Sequence, residues 1–245
     1  ANLACIQSYR EGIVRSVEVM VPCPWFNEAA KMLRENPGLD VGVHLTLTSE
    51  WENYKWGPLT QAPSLVDEQG NFYPTTSQRA DFPPKTGFLE SGWKIDEVER
   101  ELRAQIELAK KMIPQVSHLS SHMGTPTATS ELRALVGKLS KEYNLPIETP
   151  GAQYLPWNAD TKATAEQREA ALVRALEQVP PGTWIVVEHP GLDTPEMQAM
   201  GHKGYREVAP HRAAVTKSFT SPKVKETIHR RSIQLLSYRQ AWPKE

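Results

Sequence analysis

The amino-acid sequence predicts an α/β fold, a distorted (β/α) barrel, on three observations. Short β-branched, apolar segments alternate with longer amphipathic ones, which implies a largely parallel sheet covered on both faces. A length of 245 residues with 39% hydrophobic content suits one large core, so a single domain over 1–245 is expected. Histidines recur towards the C-terminal ends of the apolar segments, where barrels gather their chemistry.

Residues 1–11 read as a helix, with Leu3, Ile6 and Gln7 at helical spacing and Gly12 as the stop. Residues 13–21 alternate as a strand. Pro24 opens a helix that runs to about residue 34 and ends at the Asn36-Pro37-Gly38 turn. Val41-Gly42-Val43-His44-Leu45-Thr46-Leu47-Thr48 is a second strong strand. Residues 49–92 then break the rhythm with prolines, glycines and aromatics, and an irregular stretch of that length points to a functional insertion at the active site.

A helix over 95–112 follows, with Glu97, Arg100, Glu101 and Lys110 on its wet side and Val98, Leu102, Ile106 and Ala109 on its buried stripe. After Pro114 comes Val116-Ser117-His118-Leu119-Ser120-Ser121-His122-Met123-Gly124, a strand running into a loop. The second half predicts a helix over 129–143, a short strand at 146–149 and a helix over 163–178. A strand over 184–189 is stopped by Pro190-Gly191, and helices over 207–218 and 222–231 lead to a last strand at 233–236. The Glu-rich helices over 95–112 and 166–178 are expected to present solvated faces. About six strands, in a chain that opens on a helix, leave the barrel short of its first strand and its sheet edges open, so a strand is expected before Ala1.

Composition excludes several classes. A net charge of -1 without a basic stripe argues against nucleic acid. No apolar run approaches the roughly 18 residues of a membrane span. Cys5 and Cys23 make no disulfide framework and read as buried thiols. The G-x-S-x-G elbow, the P-loop and the G-x-G-x-x-G fingerprint are all missing. The compartment stays open between cytoplasmic and exported, and a homodimer is carried as the only protein partner.

In a strand, His118 and His122 face the same side roughly 13 Å apart, so one metal ion cannot use both. His122, at the strand's end, is the candidate ligand, with Ser120 between it and the deeper His118. His44, His122 and His189 share one placement, on or at the end of an apolar strand, and that shared placement is the functional signal. His202, His211 and His229 fall in loops or helices, where solvated or capping roles are expected. The aromatic residues of the insertion, Trp51, Tyr54 and Trp56 among them, have two readings: a small core of its own, or a stacking platform for sugar faces.

The segments 42–48, 117–124 and Glu188-His189-Pro190-Gly191 resemble three signatures of the YdjC-like carbohydrate deacetylases, the chitooligosaccharide deacetylase family. The resemblance extends through 16–26 and 221–238 and so covers nearly the whole chain. It implies a distorted barrel that removes acetyl groups from N-acetylated amino sugars with a divalent metal ion, held by one Asp and two His. The two histidines map onto His44 and His122. The Asp belongs to an Asp-Asp pair ending the family's first strand, which leads again to an expected strand before Ala1. Ser120 stands where the family usually has Asp, and His211 where related sequences often carry Asp.

The implied chemistry is metal-assisted amide hydrolysis with zinc or magnesium, the Asp as base and His189 as the acid that protonates the leaving amine. Trp51, Tyr54 and Trp56 are the expected sugar contacts. Two alternatives stay in view: a metal-dependent sugar isomerase or aldolase on the same scaffold, and a catalytically inactive sugar-binding homologue.

Overall fold

Seven α-helices of nine or more residues, two single-turn helices and five strands make up the described part of the chain, residues 1–157 and 162–243 of a computed structural model. In chain order these are α1 (Asn2–Arg10), β1 (Ser16–Val19), α2 (Phe26–Arg34), β2 (Asp40–Leu45), α3 (Ile95–Met112), β3 (Val116–Ser121) and α4 (Ser130–Tyr143). Then follow β4 (Ala152–Tyr154), α5 (Ala165–Gln178), β5 (Thr183–Ile185), α6 (Pro195–Gln198), α7 (Val208–Thr220), α8 (Pro222–Arg230) and α9 (Tyr238–Ala241). The packing divides into two compact units: Ser16–Ile147 with Pro243, and Ala1–Arg15 with the described residues of Glu148–Trp242.

In the first unit, β1, β2 and β3 form a parallel sheet in that order. Val41, Val43 and Leu45 of β2 are fully buried, and α3 packs against this strand. Gly42 and His44 alternate onto the opposite face, as the two-residue period of a strand requires. The register between β2 and β3 slips by one residue, pairing Val41 with Val116 but Gly42 with His118. That irregularity sets His118 and Ser120 directly across from Gly42 and His44.

The insertion at 49–92 contains a 3-10 turn at Pro63–Leu65 and two isolated β-bridges, Val66 with Phe72 and Thr75 with Gly87. Helix α3 supplies acceptors for the backbone donors at Leu59, Thr60 and Ser64. Glu101, fully buried, accepts from the backbone N–H groups of Leu59 and Thr60, the Thr60 hydroxyl and Gln105 Nε2. Glu97 accepts from the Ser64 backbone N–H and hydroxyl. Gln105 bonds both the N–H and the carbonyl of Thr46. The expectation that Glu97 and Glu101 face water is therefore corrected: these carboxylates are internal acceptors for the loop backbone at Leu59, Thr60 and Ser64.

The second unit holds a two-stranded parallel sheet, β4 with β5, and packs Leu155, Trp157, Leu172, Leu176, Val215, Phe219, Val224 and Ile228 into one apolar cluster. A Thr164–Gln167 capping box starts α5, and Ser221 caps α8 ahead of Pro222. On α5 the face expected to be solvated carries a buried Arg168, 2% exposed, 3.9 Å from Glu188. The strand expected at 146–149 lies instead at Ala152–Tyr154, and 233–236 is not a strand. The α/β class with parallel strands is what the structure shows; the described strands form separate sheets of three and two.

Removing Glu101 strands three or more donors, each costing roughly 1–3 kcal/mol if buried and unpaired. Glu101→Ala is expected to lower the urea midpoint far more than Glu101→Gln, which keeps one acceptor. The hydrogen bonds from the Ser64 backbone and side chain hold the Glu97 carboxyl below the usual carboxylate range. Its contribution is therefore complete above that range and disappears as the pH falls through the depressed value. Urea titrations in acid should show wild type losing stability more steeply than Glu97→Gln.

Candidate active site

Three adjacent strands carry one row of residues across the first unit's sheet. Glu18 of β1 pairs in register with Gly42 of β2, and Gly42 with His118 of β3. Two residues further on, His44 pairs with Ser120. Because Gly42 has no side chain, the Glu18 carboxylate passes over it and reaches β3. There it accepts from His118 Nε2 at 2.6 Å and from the Ser120 hydroxyl at 2.5 Å. A Cβ on Gly42 would stand 2.2 Å from Glu18 Oε2 and 2.5 Å from His118 Nε2, so glycine is what keeps the crossing open.

His118 is buried, with Nδ1 2.6 Å from the Ser117 hydroxyl and 3.9 Å from Asp40. Burial pushes the Glu18 carboxyl up, but the His118 hydrogen bond, the attraction of His118 and His44 whenever those rings are protonated, and the Ser120 hydroxyl outweigh it. The carboxyl sits below its ordinary range and is ionised near neutral pH.

The Ser120 hydroxyl also lies 2.6 Å from His44 Nδ1. His122 opens the turn after β3, where Met123 and Gly124 adopt left-handed backbone with φ of 52° and 69°. The His122 ring lies 5.2 Å from the His44 ring, edge to face at 71°. The two histidines chosen from the sequence as ligands are thus neighbours. Glu50, in the segment after β2, accepts from His122 Nε2 at 2.9 Å with its side chain 13% exposed.

Trp51 and Trp56 are 5% and 4% exposed and present almost no ring face, which favours the insertion's own core over a stacking platform for these two. Trp56 donates its indole N–H to Thr48 O and lies 6.3 Å from the His122 ring, while Tyr54 is half-buried, edge-on to Trp56. Cys23 is a free thiol, pushed up in pKa by burial and by the Glu50 charge, and Cys5 is a free thiol raised by burial.

Residues 1–230 match the sequence profile of the YdjC-like protein family. The chain belongs to that family. Three relatives, each named a carbohydrate deacetylase, are similar along most of its length. The protein from Brevibacillus brevis is 26% identical, covering 97% of this chain and 92% of its own. Carbohydrate deacetylase 1 of Listeria innocua is 30% identical over 95% of this chain and 86% of its own length. The Thermus thermophilus protein is 30% identical over 74% and 70% respectively. The crystal structure of an Enterococcus faecalis V583 protein, proposed to cleave cellobiose phosphate, shares the fold at a TM-score of 0.76, with 24% identity over 97% of this chain and 92% of that one.

In this YdjC-like protein, His44 and His122 form a partial donor set. Among the described residues, no three His, Cys, Asp or Glu side chains converge as a metal cage. Two imidazoles suit a first-row divalent ion as two of its ligands. With Glu50 on His122 Nε2 and Ser120 on His44 Nδ1, the nitrogens turned to such an ion would be His122 Nδ1 and His44 Nε2.

His189 belongs to the second unit, exposed and beyond the short β5 rather than inside a strand. Its neighbour Glu188 is raised in pKa, chiefly by burial. In the same unit His211, expected to be solvated or capping, is half-buried with Nδ1 2.5 Å from the Tyr205 hydroxyl.

Sequence reasoning missed Glu18 and Glu50. The signal for Glu18 was an acid flanked by Val17 and Val19 inside a strand; for Glu50, an acid just past the end of the His44 strand.

Gly42→Ala should displace Glu18 and cost roughly 1–3 kcal/mol by thermal denaturation. Combined with Glu18→Ala it should cost less than the sum of the two, since both remove the same contact. Burial, then the Arg168, Arg212 and His189 charges, lowers the His211 pKa from 6.5 to about 4. The folded state thus resists a proton that the unfolded chain takes up, and the neutral ring's contribution is lost as pH drops from 6.5 towards 4. Melting curves over that window should fall less steeply for His211→Asn than for wild type.

Proposed function

We propose that this YdjC-like protein is a metal-dependent carbohydrate N-deacetylase, hydrolysing the acetamide of an N-acetylated amino sugar on a distorted-barrel α/β scaffold. The observation that carries this reading is the His44–His122 pair, 5.2 Å apart between ring centres at the ends of adjacent parallel strands, with carboxylates on hand. The names of the relatives supply the substrate class. A bound zinc or magnesium ion would supply a Lewis acid for the amide carbonyl and a water of lowered pKa.

The chain's own residues do the rest. His44 and His122 hold the ion. Glu50, in hydrogen-bond contact with His122 Nε2, would hold that ring with its Nδ1 towards the ion. His189 is assigned the proton that the departing amine needs, an assignment resting on sequence placement and family resemblance. Tyr54, the half-buried member of the expected aromatic trio, is the sugar contact that keeps a usable ring edge.

Acetate release from N-acetylglucosamine oligomers tests the reaction: turnover without acetate points to an isomerase or aldolase, and sugar binding without turnover to an inactive homologue. His44→Ala and His122→Ala should each lower zinc affinity by more than the roughly 10–100-fold typical of losing an outer-shell partner, with activity falling alongside. His189→Ala should keep the metal and reduce kcat by roughly 10²–10⁴. Loss of zinc from His189→Ala, or undiminished zinc affinity in His122→Ala, would refute these assignments.

A further inference from the structure

We propose that Glu18 is the positioning carboxylate of the site, fixing through the Ser120 hydroxyl the tautomer of His44 that turns the Nε2 lone pair outward. The inference deepens the deacetylase reading and rests on its choice of His44 as a ligand.

An ionised carboxylate only accepts hydrogen bonds, and a serine hydroxyl has a single hydrogen to give. Ser120 Oγ donates that hydrogen to Glu18 Oε2 at 2.5 Å. Towards His44 Nδ1, 2.6 Å away, Ser120 must then act as acceptor, so Nδ1 carries a proton and, in the neutral ring, Nε2 carries the lone pair. The other Glu18 oxygen, Oε1, accepts from His118 Nε2 at 2.6 Å.

That second bond anchors the carboxylate to a ring only 1% exposed, whereas the Glu18 side chain itself is one-third exposed, at 33%. His118 thereby holds Glu18, Glu18 orients Ser120, and Ser120 sets His44. The arrangement needs the gap at Gly42, because Glu18 lies one strand too far away to touch β3 over any side chain. Its outcome is that of the familiar carboxylate behind a metal-binding histidine, with the acid reached through a hydroxyl.

The test reads the tautomer directly, in metal-free protein labelled with ¹⁵N-histidine. Long-range ¹H–¹⁵N spectra at neutral pH should show wild-type His44 protonated at Nδ1 and bare at Nε2. In Glu18→Ala the Ser120 hydroxyl can donate to His44 instead, and the spectrum should move to a mixture of tautomers, with Zn²⁺ affinity falling roughly 10- to 100-fold.

Glu18→Gln, which keeps the shape but exchanges one acceptor for a donor, should move both readouts in the same direction by a smaller amount, and it serves if the alanine variant fails to fold. Adding Ser120→Asp to Glu18→Ala puts a carboxylate directly against His44 Nδ1 and should restore the tautomer and most of the Zn²⁺ affinity. An unchanged His44 tautomer in both Glu18 variants would overturn the proposal. So would a loss that Ser120→Asp fails to restore in a folded protein, since that is what a purely structural Glu18 predicts. Failure of wild type to bind Zn²⁺ at all would count against the deacetylase reading, while the metal-free spectra would still decide the role of Glu18.

Discussion

The Glu18 carboxylate crossing Gly42 to reach His118 and Ser120 is the contact on which the arrangement of the first unit's sheet face depends. It joins the two outer strands over the central one and so ties together segments about a hundred residues apart in sequence. A carboxylate placed among neutral partners would be costly there, but two short hydrogen bonds and the nearby imidazoles make its charged form the favoured one. The same bonds orient the groups that hold His44. Support of the sheet and preparation of the histidine pair are therefore one interaction.

A second use of buried acid lies on α3. A long irregular segment ordinarily stays at the surface because its backbone groups need water. Here Glu97, Glu101 and Gln105 replace that water with fixed acceptors and donors, so 49–92 stays ordered next to the β2 end that carries His44 and Glu50. Trp51, Trp56, Leu65, Phe72 and Phe88 then bury their side chains with little regular secondary structure around them. The polar clamps and the aromatic burial are complementary, since apolar side chains fix a loop's position but not the pairing of its backbone.

Seen from the proposed reaction, the carboxylates divide their work. Glu50 sits on the imidazole of His122, the proposed ligand on the turn, and Glu18 bonds the hydroxyl that meets His44, the proposed ligand on the strand. Each histidine is thus held by a different acid from a different element. Two separately oriented rings at an edge-to-face angle point their remaining nitrogens by design of the hydrogen bonds rather than by chance of rotamer.

Periodicity by itself determined the helix over 95–112, the helices close to α1, α2, α4, α5, α7 and α8, and the strands of the first sheet, because amphipathic stripes and β-branched alternation are local signals. It also placed His44 and His122 on or at the end of separate strands, and the signature segments around them carried the family, while the pairing of those strands came from the structure. The short strands β4 and β5 were misplaced or overextended because three-residue pairings leave almost no periodic trace. Tertiary structure alone decided the rest: the register slip that faces Ser120 to His44, the approach of the His122 ring to His44, and the burial of Glu97, Glu101 and Arg168. The physical reason is that an acid on a helix or in a strand looks solvated in sequence. Only its partners from distant segments, Ser64, Thr60, His118 and Ser120, make its burial favourable.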